Sequence, residues 1–384
     1  MEAIGRPHVA LVHDWLTGMR GGEKCLEALC RRWPDARLFT LLHAAGSVSE
    51  PIERLQPTTS LLQYLPGVAR YYRYLLPILP LAARWAIPPC DLVVSFSHCV
   101  AKAAQPPAGV PHVCYCFTPM RYAWHMRDAY FATGRFGRLK SLAVGALLEH
   151  LRAWDLRTAS RVTHFIAISQ TIRQRIRECY DRDSTVIYPP VDTEFYCPEP
   201  VPREKYYLAL SAFAPYKRLD LAVAACARLR RSLVVIGTGQ DDRRLRRLAG
   251  PGVQFLGWQS DAAIRDHLRR CQALLFPGEE DFGIVPVEAM ACGTPVIAFD
   301  KGGATETVVP LGRNSLEPTG IWFDEQTVDS LVAALEQFEA HRDDFAPAVA
   351  RRQALRFNRQ RFETELFAYL DGVLAGTPTV RRAA

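Results

Sequence analysis

The sequence predicts an α/β protein of two domains, each a parallel sheet with helical crossovers. Three observations carry this. The 384 residues are too many for one ordinary core. Short β-rich runs alternate with helical patterns along the chain. A proline-rich stretch interrupts that alternation near its midpoint.

In the first half, HVALVHDW is a β-rich run close to the N-terminus. GGEKCLEALCRRW follows with helical spacing that puts Cys25, Leu26 and Leu29 on one face. DLVVSFS, HVCYCF and THFIAIS are further strands, followed by the helix TIRQRIRECY and the short strand TVIYPPV. Pro189 and Pro190 end that strand, and Pro198, Pro200 and Pro202 lie among charged residues just beyond. Such a composition suits a linker, so the domains are placed at 1–197 and 198–384. The second half restarts the pattern. YYLALSAF, SLVVIGTG, VQFLGW, ALLFPG and PVIAFD read as strands, and RLDLAVAACARLRR and DDRRLRRLAG as helices. The run RRQALRFNRQRFETELFAYLDGVL reads as one long helix, with Leu355, Phe362 and Leu366 at helical spacing, and such a helix can return to the first domain. Alternation of this kind implies right-handed crossovers and a ligand cleft at the carboxyl ends of the strands.

Composition narrows the function. Apolar residues are 49% and charged residues 23%, the balance of a globular protein. No stretch of spanning length is apolar, and the N-terminus lacks the layout of a signal peptide, so a cytoplasmic protein is expected. The 11 cysteines are odd in number. Cys114 and Cys116 are one residue apart rather than a CxxC pair, so reduced thiols are expected, not a zinc or redox site. The net charge of +7 lies wholly in residues 1–196, which carry 23 Lys and Arg against 16 Asp and Glu. A basic half attracts anionic lipid or a lipid diphosphate; ordinary solubilising arginines account for it equally well. No nucleic-acid motif accompanies it, and no nucleic-acid partner is expected. Residues 68–87, VARYYRYLLPILPLAARWAI, are apolar and aromatic with interspersed arginines, and Pro77 and Pro80 interrupt any helix. They suit either an interfacial segment, with peripheral contact to an anionic membrane, or a buried wall of an acceptor cleft.

The segment most informative about chemistry is FPGEEDFGIVPVEAMACGTPVIAFDKGGATETV, residues 276–308. It leaves a strand, passes Gly278 and Gly283, and enters a helix near Pro286 that Gly293 ends. A helix N-terminus offers free N–H groups and a positive dipole end to a phosphate. Glu288, read as lying in the first helical turn, can accept two hydrogen bonds from a ribose diol. Glu280 lies on the loop before it and can reach sugar hydroxyls. Asp181 and Asp183 look like an acidic metal motif but suit a solvated turn after a helix.

Glu280, Phe282, Gly283, Glu288 and Ala289, with the continuation through GGATETV, resemble the signature of glycosyltransferase family 4. The resemblance extends over nearly the whole chain. SAFAPYKRLD, residues 211–220, resembles the family loop whose Lys and Arg neutralise a donor diphosphate; Lys217 matches the Lys. Ala212 stands where many relatives have the Arg, and Arg218 is the available substitute. TGMRGGEKCLE resembles the family's first glycine loop, with Gly21 and Gly22 opening a helix and Asp14 before it, suited either to orient an acceptor hydroxyl or to cap the loop. CYCFTPMRYAWHM resembles a further family string, with Phe117 where many relatives have His. His98, at another strand end, is placed to serve in the same cleft or simply to be structural. Arg121 and Tyr122 suit an anionic acceptor or packing.

The resemblance implies two Rossmann-like domains facing across a cleft (the GT-B type) and retaining, metal-independent hexosyl transfer from a nucleotide sugar, without cofactor. Implied catalytic residues are Glu280, Lys217 and His98. Implied donor contacts are Gly21, Gly22, Lys217, Arg218, Gly237, Phe282, Gly283, Ile284 and Glu288; acceptor-side residues are Asp14, Arg121 and Tyr122. VHDWL, TPMRYAW, IYPPVD and APYKRLD resemble the mannosyltransferases of O-antigen and exopolysaccharide synthesis most. GDP-mannose and a glycan or polyprenyl-diphosphate-linked acceptor at the inner face of the cytoplasmic membrane are the expectation drawn from them. Two alternatives stay open: an epimerase on the same architecture, and, given Phe117 and Ala212, a non-catalytic nucleotide-sugar-binding protein.

Overall fold

Strands covered by helices on both sheet faces are apolar throughout rather than alternating. Val9–His13 (β1) follows that rule, with every residue buried. The computed structural model describes residues 7–121, 123, 124, 138–312 and 317–376. Arg37–Thr40 (β2), Thr58–Thr59 (β3), Leu92–Ser97 (β4), His112–Cys116 (β5), His164–Ala167 (β6) and Ser184–Val186 (β7) join β1 in a parallel sheet. Its order is β3-β2-β1-β4-β5-β6-β7. Tyr206–Leu210 (β8), Ser232–Ile236 (β9), Val253–Gly257 (β10), Leu274–Phe276 (β11), Val296–Phe299 (β12) and Gly320–Phe323 (β13) form a second one, ordered β10-β9-β8-β11-β12-β13. Both run outward from a first strand and then reverse past it, so each is a Rossmann-like sheet with one topological switch point. These lie between β1 and β4, and between β8 and β11.

The longer helices are Gly21–Arg32 (α1), Arg138–Ala159 (α2), Gln170–Tyr180 (α3), Leu219–Leu229 (α4), Asp261–Arg270 (α5), Ile284–Ala291 (α6), Val328–Ala340 (α7), Pro347–Leu355 (α8) and Arg359–Leu374 (α9). Local chemistry sets their ends. The Ser169 hydroxyl accepts from the Ile172 N–H at 3.1 Å to start α3. Asp181, left-handed at φ +52°, stops it as a turn residue. The expected single C-terminal helix is two. Asn358 Oδ1 accepts the Arg361 N–H at 2.7 Å, and this second cap breaks the run between α8 and α9. The expected helix near Pro286 starts earlier, at Ile284.

The chain divides into two compact units: Met1–Pro189 with Phe362–Ala384, and Pro190–Arg361. The sequence places its linker boundary slightly later, at 197/198. Within the first unit, α9 returns to the sheet: Phe362 meets Tyr115 edge-on at 5.9 Å, and Arg32 pairs with Asp371 at 2.5 Å. That unit's core gathers Ala10, Val12, Phe39, Val93 and Val100 under the segment around Tyr72 and Trp85. The second unit's core packs α4 and α7 against β8, β9 and β12 through Tyr207, Val223, Val235, Ile297 and Leu335.

Candidate functional site

In the second unit, the loop after β8 and the loop after β11 meet at the switch point, where open α/β sheets bind ligands. Lys217, at the end of a 3-10 turn formed by Pro215–Lys217, donates to Glu280 Oε1 across 63 residues of sequence. Both side chains are mostly buried and line a small recess with Ser211, Pro277 and Gly278. The frame around them is tight. Gly237 has φ +137°, and a Cβ there would lie 1.9 Å from the Ser211 carbonyl oxygen, so the position admits only glycine. On the other side, the Gly303 N–H donates to the Glu280 carbonyl at 2.8 Å.

Gly283, at φ +82°, turns the chain into α6. Ile284 is its first residue, so Glu288 lies beyond the first turn, a correction to its expected place. The Glu288 side chain is buried. Burial, and then the Glu288 charge, pushes the Tyr196 hydroxyl pKa well up, which puts that carboxylate near Tyr196. Phe282 is a core residue: it is buried and meets Phe357 edge-on at 5.5 Å, so its side chain packs inward rather than toward a ligand. Arg218, left-handed at φ +52°, pairs through Nε with Asp220 Oδ1 at 3.2 Å, and Asp220 also holds Arg244 at 3.1 Å. The guanidinium offered as a substitute for the missing Arg is therefore engaged within its own unit. Ala212 is exposed on the same loop.

The switch point of the first unit is built differently. Asp14, directly after β1, is completely buried. Its carboxylate accepts four successive N–H groups after β4: His98 at 2.7, Cys99 at 2.9, Val100 at 2.6 and Ala101 at 2.7 Å. It also meets His98 Nδ1 at 3.0 Å. Burial alone would raise this carboxyl; the imidazole and the converging amides outweigh it and hold the pKa well below the usual range. Asp14 is thus a loop anchor and not a group presented to an acceptor hydroxyl, the second of its two sequence readings. His98 is about one-third exposed and stands edge-on against Trp15 at 4.4 Å.

Beneath that loop lies a buried network with no counterpart in the sequence expectations. Lys102 pairs with Asp155, which accepts from Tyr180 Oη at 2.7 Å and Trp124 Nε1 at 2.9 Å. Burial lowers the Lys102 pKa, and the Asp155 carboxylate more than reverses this. The available signal was a lysine inside the apolar run HCVAKAA. Gly21 and Gly22 are the first two residues of α1. A Cβ on Gly22 would lie 3.1 Å from the Phe117 ring and 3.3 Å from His13 Nε2, so the glycine permits close packing there. His13, which with Asp14 precedes this loop at the end of β1, is buried, and burial lowers its pKa. Arg121 is half-buried in a turn. Tyr122 lies outside the described residues.

Within each unit, then, the structure joins Lys217 to Glu280 and Asp14 to His98, across equivalent strand ends. Comparison with known proteins accounts for both halves. The family model described as Glycosyltransferase Family 4 matches residues 19–195, and that described as Glycosyl transferases group 1 matches residues 197–354. A GDP-mannose-dependent alpha-(1-6)-phosphatidylinositol monomannoside mannosyltransferase of Mycobacterium tuberculosis is 30% identical over 207 residues, 46% of this chain and 52% of that protein. The alpha-1,3/1,6-mannosyltransferase ALG2 of Homo sapiens is 28% identical over 50% of this chain and 53% of its own. The chain spans about half the length of the curated relatives it matches. In fold, it is similar to Anabaena Alr3699/HepE in complex with UDP, with a TM-score of 0.69 and 17% identity over 95% of this chain and 100% of that one. Its two Rossmann-like sheets are of the GT-B class, and with one family model over each half, the chain belongs to glycosyltransferase family 4.

Proposed function

We propose that this chain transfers a hexose from a nucleotide sugar to a lipid-linked or polysaccharide acceptor, with mannose from GDP-mannose as the donor and retention at the anomeric carbon. The observation that carries the reading is the Lys217–Glu280 pair at the switch point of the second sheet. A diphosphate leaving group gains negative charge as the glycosidic bond breaks, and a fixed ammonium lowers the barrier there without a metal ion. In this reading Lys217 exchanges its carboxylate partner for the diphosphate. Glu280, released, takes hydroxyls of the transferred sugar. The amides of Phe282, Gly283 and Ile284 at the start of α6 add to the anion site. Glu288 serves the ribose and Gly237 the wall of the donor loop. His98, held by Asp14, acts on the acceptor side with Arg121. Arg218 keeps its Asp220 partner and contributes a background field.

The mannose assignment is supported by the likeness to the mycobacterial and human mannosyltransferases. No described helix is long and apolar enough to cross a membrane, and the work is proposed to occur at the cytoplasmic face. The test is a thermal-shift screen with GDP-, UDP-, dTDP- and ADP-sugars. A donor at one hundred times its Kd adds about 2.7 kcal/mol of apparent stability. GDP-mannose is expected to give the largest rise; a larger response to another nucleotide overturns the donor, and no response to any overturns the reading. Release of GDP only when lipid-linked acceptor extract is added separates transfer from donor binding without chemistry.

A further inference from the structure

Folded chains normally turn one face of a surface segment inward and leave a polar face outward. Residues 61–85 of the first unit do otherwise. They form 3-10 turns at Leu61–Tyr64, Val68–Arg70 and Tyr72–Tyr74 and a short helix at Leu79–Ala82. Leu62, Val68, Tyr72, Leu79, Ala83 and Trp85 point into the core and fix this strap to it. Its outer side is apolar as well. Of the eleven large hydrophobic side chains exposed among the described residues, six lie between Leu61 and Leu81. The most exposed are Leu61 at 85%, Tyr64 at 79%, Tyr74 at 84% and Leu81 at 62%. Scattered exposed leucines need no explanation, but a cluster in one segment marks a contact surface.

Charge says which contact. From Arg54 to Cys90 the sequence has no Asp or Glu, but four arginines: Arg54, Arg70, Arg73 and Arg84. Arg54 pairs with Glu50. Arg70 and Arg84 are exposed and form no ion pair with a described residue. Exposed tyrosines and leucines beside unpaired arginines are the chemistry of a bilayer interface. There the rings sit at headgroup level, the aliphatic groups enter the acyl boundary, and the guanidinium groups meet lipid phosphates. A protein partner would be expected to meet these arginines with acids, and a second copy of this strap brings none.

We propose that this strap docks the protein on an anionic phospholipid surface. The docking does not depend on the glycosyl-transfer reading, since it needs neither donor nor turnover. Co-sedimentation of the full chain with phosphatidylcholine vesicles, with and without phosphatidylglycerol, tests it. The expected result is binding to the anionic vesicles, weakened by salt. The variant Tyr64→Ser/Tyr74→Ser/Leu81→Ser, altered only at exposed positions, should lose it with an unchanged Tm. Arg70→Gln/Arg84→Gln should lower the partition coefficient about fivefold per arginine. Failure of the wild type to bind anionic vesicles overturns the proposal, as does undiminished binding by either variant. A concentration-dependent dimer that the triple variant abolishes, without vesicle binding, assigns the strap to a second copy and overturns it too. The donor-induced thermal shift, measured on the same variants, should be retained, so a failure of docking and a failure of the donor reading are told apart.

Discussion

The two sheets share the order of their first six strands, with β7 added at the edge of the first, and reverse at equivalent places; each joins the loop after its first strand to the loop after its fourth by an ionisable pair. The signs are exchanged. In the first unit the acid, Asp14, follows β1 and its basic partner, His98, follows β4. In the second the base, Lys217, follows β8 and its acid, Glu280, follows β11. Satisfaction differs more than sign. Asp14 is saturated by four amides and an imidazole and sees no solvent. Lys217 and Glu280 hold each other at the edge of a recess, where an incoming anion and hydroxyls can replace each partner. The lesson is that one topology delivers a charge to the same point twice, and the surrounding donors decide whether it anchors a loop or meets a ligand.

The largest expected effect tests the anchoring side. Asp14→Ala leaves four N–H groups, three of them buried, without their acceptor and should cost about 4 kcal/mol of stability. His98→Gln removes one partner of that carboxylate and should cost no more than about 1.5 kcal/mol. Denaturant midpoints of the two variants measure the difference. An Asp14→Ala protein no less stable than His98→Gln would mean that the amides do not anchor the loop and that the contrast between the units is false.

How far this contrast was legible beforehand follows from where each interaction is encoded. The strands β1, β4, β5, β6, β8, β9, β11 and β12 are largely apolar runs bounded by turn residues, and their pattern survives in one dimension, as does that of β10 despite Gln254. β2, β3 and β13 lack that signature: Arg37 and Thr58, both exposed, open β2 and β3, and Gly320 opens β13, so only neighbouring strands define them. The broken C-terminal helix was hidden because Asn358, an ordinary residue in a helical pattern, becomes a cap only when its side chain accepts from Arg361. In the site, Lys217 and Glu280 could be named through their motifs, but their contact across 63 residues is a property of the switch point. Asp14 shows the limit more sharply. An aspartate at a strand end can serve a ligand or a loop, and only the convergence of residues 98–101 on it decides.

The second effect tests the exchangeable side. Lys217→Ala should lower kcat on the order of a hundredfold, as for loss of one preorganised group facing transition-state charge, while the donor Kd changes by less than about tenfold. Steady-state turnover and calorimetric donor binding on the same preparation give both numbers. An intact kcat would remove the ammonium from the reaction and leave Lys217–Glu280 as a second anchor like Asp14–His98.

The smallest effect concerns Glu288, the one acid of the second unit whose place is ambiguous between the two behaviours. It is buried like Asp14, yet it lies one turn along the helix whose start frames the recess. If its carboxylate serves a ribose diol, Glu288→Gln keeps the shape but loses one charge-assisted acceptor, and the donor Kd should rise about tenfold. If it serves only its buried surroundings near Tyr196, the same variant leaves the donor Kd unchanged and lowers the denaturant midpoint instead. Tyr196→Phe separates these further, because it removes the neighbouring hydroxyl and leaves the carboxylate in place. A ribose role predicts donor binding close to wild type in Tyr196→Phe and weakened binding in Glu288→Gln. Equal donor affinities in both variants and the wild type would place Glu288 with Asp14, among the charges that hold the fold, and reduce the ligand-facing set of this sheet to Lys217, Glu280 and the amides of α6.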